Sequence, residues 1–246
     1  MNTYNYLLDV INKQKAAFLV LVDPDKIDES KIGDFSAYCQ ECGVDGFLAG
    51  GSLMINGSFD EFIKKMKSRA NKPVIIFPGA VTQVSAFADS LFFLSVISGR
   101  NAEHLIGKHV IAAPLVKKTG IEAIPVGYML IESGKTTTAL YMSGGMPIPR
   151  NKPEIAAATA LAAEYLGMKF VYLEAGSGAD NTVPAEMIKA VSNYCSIPVI
   201  VGGGISKPEE AREKVDSGAK IIVVGNYFED ENNWPRVKEF ADAIHN

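Results

Sequence analysis

The chain is poor in the residues that commit a protein to thiolate, imidazole or redox chemistry. Of its 246 residues, three are cysteines and three are histidines. Cys39 and Cys42 form a CxxC within "FSAYCQECG". A structural zinc takes about four ligands, and no second pair exists to complete the set. The spacing reads instead as two helix residues ahead of a capping Gly43. His104 and His109 share one helical segment, and His245 is penultimate. None ends a strand, so all three are expected to be helix or surface residues rather than bases, nucleophiles or metal ligands. Apolar runs are short as well. The longest, near Ser90 to Ile97, has strand length and falls far below the roughly 18 to 20 residues of a membrane span. Basic charge is in deficit, with 24 Lys and Arg against 28 Asp and Glu and a net charge of −4. That excludes a nucleic-acid surface built on charge. The start, "MNTYNYLLDVINKQK", has no basic leader followed by an apolar core. A cytoplasmic protein without a transmembrane segment is expected.

What the chain does have is alternation. Eight β-rich apolar runs occur at 16–23, 46–51, 73–79, 90–98, 123–132, 169–176, 197–204 and 220–226. Most are continuous in Val, Ile, Leu and Phe, as in parallel strands covered on both faces. Amphipathic helical segments separate them, and one more, "TYNYLLDVINKQ", precedes the first. The Ala-rich "KPEIAAATALAAEYLG" has Pro153 near its start and Gly167 at its end, the usual helix asymmetry. It is expected to pack tightly on the barrel or against a subunit. Only "AVTQVSAFAD" separates the third strand from the fourth, too little for a full crossover helix. Eight units without a linker predict one domain, 1–246: an α/β fold, a (β/α)8 TIM barrel with a shortened third helix. An open doubly wound sheet is the alternative. Residues 132–153 form a long loop of the kind that serves as a lid or binding loop.

In such barrels the active site lies at the carboxyl ends of the strands. These ends are polar or glycine-rich on most strands. Glycines let backbone N–H groups approach an anion, and a following helix adds a favourable dipole. "GGGI" (202–205), "VGN" (224–226) and Ser177-Gly178 together predict a phosphate site; taken singly, each would be only a tight turn. Asp23 ends an apolar strand, where a carboxylate needs a cation or hydrogen bonds. Mg²⁺ takes hard oxygen ligands and often only one or two from protein. Asp23, helped by the Ser52 hydroxyl, fits that role; a cap or a Pro-turn aspartate is the plainer alternative. Asp25 is expected to face solvent.

"LVDPDK", "FPG", "YLEAGSGA", "VGGGI" and "VVGNYFED" together resemble the geranylgeranylglyceryl phosphate synthase, or PcrB-like, family, in the form of its second group. The resemblance runs from the first strand to the last. It implies a Mg²⁺-dependent prenyltransferase that joins sn-glycerol 1-phosphate to a polyprenyl diphosphate, commonly geranylgeranyl diphosphate, in lipid biosynthesis. It places the metal on Asp23 and Ser52. It places glycerol phosphate on Tyr172, Leu173, Glu174, Ala175, Gly176, Ser177 and Gly178, on Gly203 and Gly204, and on Gly225 and Asn226. Glu174 and Tyr172 become the catalytic pair, Glu174 taking the hydroxyl proton or holding the glycerol. The family also implies a homo-oligomer, dimer or hexamer. One departure is Leu21, where the other group carries a lysine. The apolar groove for the prenyl tail is expected beside the shortened third unit. Trp234 is expected at a subunit contact or in the local core.

Two rivals stand beside this reading. One is a sugar-phosphate isomerase or an indole-glycerol-phosphate-type synthase working with Asp23 and Glu132. The other is a non-catalytic phosphate-ligand binder.

Overall fold

In the computed structural model, which describes residues 2–246, eight parallel strands close into a barrel in sequence order. They are β1 (Ala17–Val22), β2 (Gly46–Ala49), β3 (Val74–Ile76), β4 (Ser90–Val96), β5 (Glu122–Leu130), β6 (Phe170–Glu174), β7 (Val199–Gly202) and β8 (Ile221–Val224). Each falls within or close to its expected run, and each is shorter. The polar and glycine ends expected to finish the strands mostly lie just past them, in the loops.

Side chains alternate across the sheet. Leu19, Leu48, Ile75, Phe92, Val126, Phe170, Ile200 and Val223 fill the barrel interior. Their neighbours, among them Phe18, Phe47, Ile76 and Leu173, form the outer core under the helices. Burying each such side chain is worth about 1.5–3 kcal/mol. The helices are α1 (Thr3–Lys13), α2 (Ile32–Glu41), α3 (Phe59–Lys67), α4 (Lys108–Thr119), α5 (Thr138–Ser143), α6 (Pro153–Tyr165), α7 (Ala185–Tyr194), α8 (Pro208–Asp216) and α9 (Val237–His245).

Helix α1 closes the bottom of the barrel. Its Leu7 and Val10 join the interior cluster, the Tyr4 ring packs edge-on against Phe170, and the Glu122 carboxylate accepts from the Thr3 N–H at 2.6 Å. A carboxylate at a helix start also complements the dipole. With that end plugged, only the mouth at the strand carboxyl ends stays open.

The third unit is shortened to the limit: residues 77–89 form turns and no helix. Helix α4 instead gains a preceding π turn, Glu103–Gly107. The long loop 132–153 carries α5, started by the Thr137 hydroxyl, and a bridge from Ile131 to Ile148. On α6, Ala156, Ala157, Ala160 and Ala163 are buried, so the Ala-rich face packs on the barrel. Trp234 takes the local role, its ring 4.6 Å from Phe35 and its Nε1 donating to the Phe228 carbonyl at 2.9 Å. Cys39 is buried in the outer core.

Candidate active site

Two chambers share the mouth. The first is polar, lined by Asp23, Ser52, Tyr172, Glu174, Ser177, Gly203, Gly204, Gly225 and Asn226. Nine of the thirteen residues singled out in the sequence therefore meet in one place. The other four do not line it. Period-two alternation turns the Leu173 and Ala175 side chains outward into the outer core. Ala175 N–H is taken by the Gly202 carbonyl at 3.0 Å. Gly176 serves Glu174, as described next, and Gly178 lies beside Asn226.

Glu174 is the centre of this chamber. It points inward from the last position of β6, in register with Leu130 on one side and Gly202 on the other. Its side chain is 5% exposed. The Gly176 N–H donates to Oε1 at 2.6 Å, and the Tyr172 and Tyr128 hydroxyls turn toward the carboxyl. Burial outweighs these stabilising contacts and pushes the Glu174 pKa up to about 7. Gly203, with φ +85°, makes the close approach possible: a Cβ there would collide with Oε1 and with the Gly176 N–H.

Asp23 sits over Gly51, where a Cβ would stand 2.6 Å from its Oδ2. Its Oδ1 accepts from the Asp25 N–H at 3.0 Å. Burial, with Asp25 adding repulsion, raises its pKa above the ordinary aspartate range. Glu229, on the 3-10 turn Asn226–Glu229, lines the same chamber. Burial first and the Asp23 charge second raise its pKa too. Among the described residues no Lys, Arg or His lines the polar chamber. Leu21 lines it where a lysine would have supplied charge, and Lys26 does not replace it.

The second chamber is an apolar groove. Phe77, Pro78, Val81, Val84, Leu91, Phe93, Leu94 and Val96 line it, with Ala112 from α4 and Met142 from α5. It lies where the missing third helix leaves the barrel uncovered. Gly51, Ser52, Phe77, Tyr128 and Ala139 belong to both chambers, so the two are continuous.

Several residues differ from their sequence expectation. His104 and His109 are helix residues, as expected, but they also line the groove. The Phe93 ring meets His109 edge-on at 4.6 Å, and Ser95 Oγ lies 3.1 Å from its Nε2. Asp25 does not simply face solvent. Its carboxylate accepts from Ile55 N–H at 2.7 Å and Asn56 N–H at 3.0 Å, clasping the loop after β2. Glu132 is exposed and lines neither chamber. Its carbonyl accepts from Arg150 at 2.9 Å instead.

Fold and mouth define a class: a (β/α)8 barrel with glycine-rich turns after its last strands, the arrangement in which this fold takes phosphorylated ligands. Within it, the chain belongs to the PcrB family, whose model matches residues 9–244. A geranylgeranylglyceryl phosphate synthase from Chitinophaga pinensis is 48% identical over 242 residues, covering 98% of this chain and 95% of the relative. One from Pyrococcus horikoshii is 41% identical, covering 98% and 94%. The crystal structure of (S)-3-O-geranylgeranylglyceryl phosphate synthase from Thermoplasma acidophilum, in complex with substrate sn-glycerol-1-phosphate, is similar with a TM-score of 0.93 at 32% identity, covering 100% and 99%.

Proposed function

We propose that this protein is a prenyltransferase that joins sn-glycerol 1-phosphate to a polyprenyl diphosphate, with geranylgeranyl diphosphate the leading donor. One observation carries the assignment within the family. A polar, carboxylate-bearing chamber opens directly into an apolar groove. An isomerase of a small sugar phosphate needs the first chamber and has no use for the second. The acid–base pair that rival requires, Asp23 with Glu132, is not assembled.

Glycerol phosphate occupies the polar chamber. Its phosphate meets the turns after β6, β7 and β8 at Ser177, Gly203, Gly204, Gly225 and Asn226. The Gly203, Gly204 and Asn226 N–H groups are not committed to other backbone carbonyls among the described residues, which leaves them available to an anion. The glycerol hydroxyls face Glu174. The prenyl tail lies along the groove. In the reaction the C1–O bond of the prenyl diphosphate breaks and its electron pair leaves with diphosphate. Glycerol O3 bonds to C1, and the O3 proton passes to the Glu174 carboxylate. A group titrating near neutrality suits that transfer. The Tyr172 ring backs the reacting carbon, where an aromatic face favours positive charge.

The residues present fit a Mg²⁺ ion. Asp23, Glu229 and the Ser52 hydroxyl are all oxygen donors, and the partly buried Asp23 carboxylate, with Glu229 in the same chamber and no cationic side chain lining it, suits a divalent cation. Asp23 and Ser52 would hold it, and when bound it supplies charge neutralisation for the leaving diphosphate. No helix among the described residues is long and apolar enough to cross a membrane, in keeping with a cytoplasmic enzyme. The exposed apolar side chains Val110, Ile111, Tyr141 and Met146 support a homo-oligomer, a dimer or hexamer, that covers them; sedimentation analysis reads its size.

The deciding experiment incubates the protein with sn-glycerol 1-phosphate, Mg²⁺ and a series of prenyl diphosphates. An ether product is expected from at least one donor. None from any length sinks the assignment.

A further inference from the structure

We propose that Gln83 is a positioning residue for the metal seat: its side-chain amide pins the peptide between Gly51 and Ser52, and so holds Ser52 in place as the partner of Asp23. The inference rests on the prenyl-transfer assignment above.

Gln83 stands in the segment that replaces the third helix. It is 2% exposed and lines neither chamber, so any effect it has on a ligand passes through other residues. Strands β2 and β3 pair as far as Ala49 and Ile76, with one more bond from the Phe77 N–H to the Ala49 carbonyl at 2.9 Å. Beyond it, no backbone hydrogen bond joins the two turns among the described residues. The Gln83 amide takes over. Its Oε1 accepts from the Gly79 N–H at 2.9 Å, and its Nε2 donates to the Gly51 carbonyl at 3.0 Å. A side-chain amide thus stands in for a missing peptide group between the two strand ends. Its partners fix its orientation, since a flipped amide would set N–H against N–H and oxygen against oxygen.

The Gly51 carbonyl and the Ser52 N–H share one planar peptide. Holding the carbonyl therefore fixes the plane from which Ser52 projects. The Asp23 carboxylate lies against the same Gly51, where an added Cβ would stand 2.6 Å from Oδ2. Gly79 packs closely on this turn as well: a Cβ there would collide with the Gly51 carbonyl and the Ser52 Cα. Further along the loop, Asp25 clasps the Ile55 and Asn56 N–H groups. Ser52 lies between these two anchors, and Gln83 is the buried one. Without its amide, the Gly51 carbonyl and the Gly79 N–H lose their partner and the two turns gain freedom to shift. Groups that orient a metal's ligands in this way set its affinity by about 10–100-fold. The turns that take glycerol phosphate follow β6, β7 and β8, across the barrel from β2 and β3.

The test uses the whole protein as wild type, Gln83→Met and Gln83→Asn. Methionine keeps the length of the side chain and removes both hydrogen bonds. Asparagine keeps an amide that is too short to span both turns. Electron paramagnetic resonance reads Mn²⁺ affinity, and calorimetry in the presence of a chelator reads sn-glycerol 1-phosphate affinity. Prenyl transfer from geranylgeranyl diphosphate reads the Mg²⁺ concentration for half-maximal rate. Gln83→Met should weaken Mn²⁺ binding, and raise that Mg²⁺ concentration, about tenfold; Gln83→Asn should do so by about threefold or more. Glycerol 1-phosphate affinity should stay within about threefold of wild type in both. A loss of Mn²⁺ affinity below about threefold in Gln83→Met overturns the proposal. So does a fall in glycerol 1-phosphate affinity as large as the fall for Mn²⁺, the mark of general loosening, and so does a wild type without saturable Mn²⁺ binding. Should Gln83→Met fail to fold, Gln83→Asn decides by the same comparison. Failure of both to fold makes Gln83 a structural residue and overturns the proposal too. Absence of ether product from a wild type that binds Mn²⁺ would instead bring down the prenyl-transfer assignment.

Discussion

The Gly176 N–H donates to Glu174 Oε1 at 2.6 Å, from a turn that begins immediately after the strand carrying the glutamate. One backbone donor thus fixes the carboxylate without neutralising it. Burial remains the larger influence and holds the pKa at about 7. Two consequences can be measured in Glu174→Gln. Turnover should fall by roughly 10²-fold or more, and the acidic limb of the pH–rate profile, expected near neutrality in wild type, should disappear.

Stability should respond in the opposite direction. A carboxyl whose folded pKa lies above its unfolded value binds more protons when folded, so stability falls as pH rises between the two values. The shift from 4.5 to about 7 corresponds to about 3 kcal/mol lost by the time Glu174 is fully ionised. Thermal denaturation of Glu174→Gln should therefore show a higher Tm than wild type at mildly alkaline pH, with the gap closing toward pH 4.5. A gap that does not vary with pH would mean that the glutamate is ionised without penalty.

Asp23 and Glu229 divide the metal requirement unequally. Asp23 ends the first strand beside Ser52, while Glu229 reaches the chamber from a turn after the last strand. Asp23→Asn should reduce turnover by about 10²-fold or more while leaving glycerol 1-phosphate affinity within a few-fold. A passive binder has no turnover to lose and would largely keep its phosphate affinity in this variant, so a turnover that Asp23→Asn removes excludes that rival. Glu229→Gln should raise the Mg²⁺ concentration for half-maximal rate by about three- to tenfold, with kcat at saturating Mg²⁺ largely kept. Mn²⁺ binding followed by electron paramagnetic resonance reads the same affinities without turnover.

The eight strands and the residues at their ends were legible because parallel strands covered on both faces read as continuous apolar runs, and a charge or paired glycines at the end of such a run stands out. The same continuity hid Tyr128. In "AIPVGYMLIE" both faces are apolar, so nothing local says that Tyr128 faces inward; the register Tyr128 to Tyr172 is needed. For Leu173 and Ala175 the signal was present. If Glu174 points in, its neighbours point out by the period-two rule. The His104 and His109 positions were not readable, because α4 and the π turn before it expose Ile106, Val110 and Ile111 and show no single apolar stripe. Glu229 was visible within "VVGNYFED", but only the turn after β8 brings it back over the mouth.

The groove makes its own prediction. Ala112 on α4 lines it together with Leu91 and Val84, none of which lines the polar chamber. A larger side chain there should shorten the space available to the tail. Ala112→Phe should lower kcat/KM for geranylgeranyl diphosphate about tenfold or more relative to the donor one isoprene unit shorter. Mass spectrometry of products from mixed donors checks it. An unchanged preference would place the tail elsewhere.

Gly203 ties the fold to the chemistry. Its φ of +85° lies in the left-handed region, and an added Cβ would collide with Glu174 Oε1 and the Gly176 N–H. Gly203→Ala must therefore either strain the turn after β7 or push Glu174 away from its backbone donor. Strain of this kind costs about 1–3 kcal/mol, which in a chain of this size lowers Tm by roughly 2–12 °C. Loss of the Gly176 donor should also raise the Glu174 pKa further, because that bond favours the ionised form. The acidic limb should then move to higher pH, and turnover at neutral pH should fall more than the stability loss alone explains. If Tm falls but the limb stays, the turn has absorbed the collision and Glu174 has kept its partner.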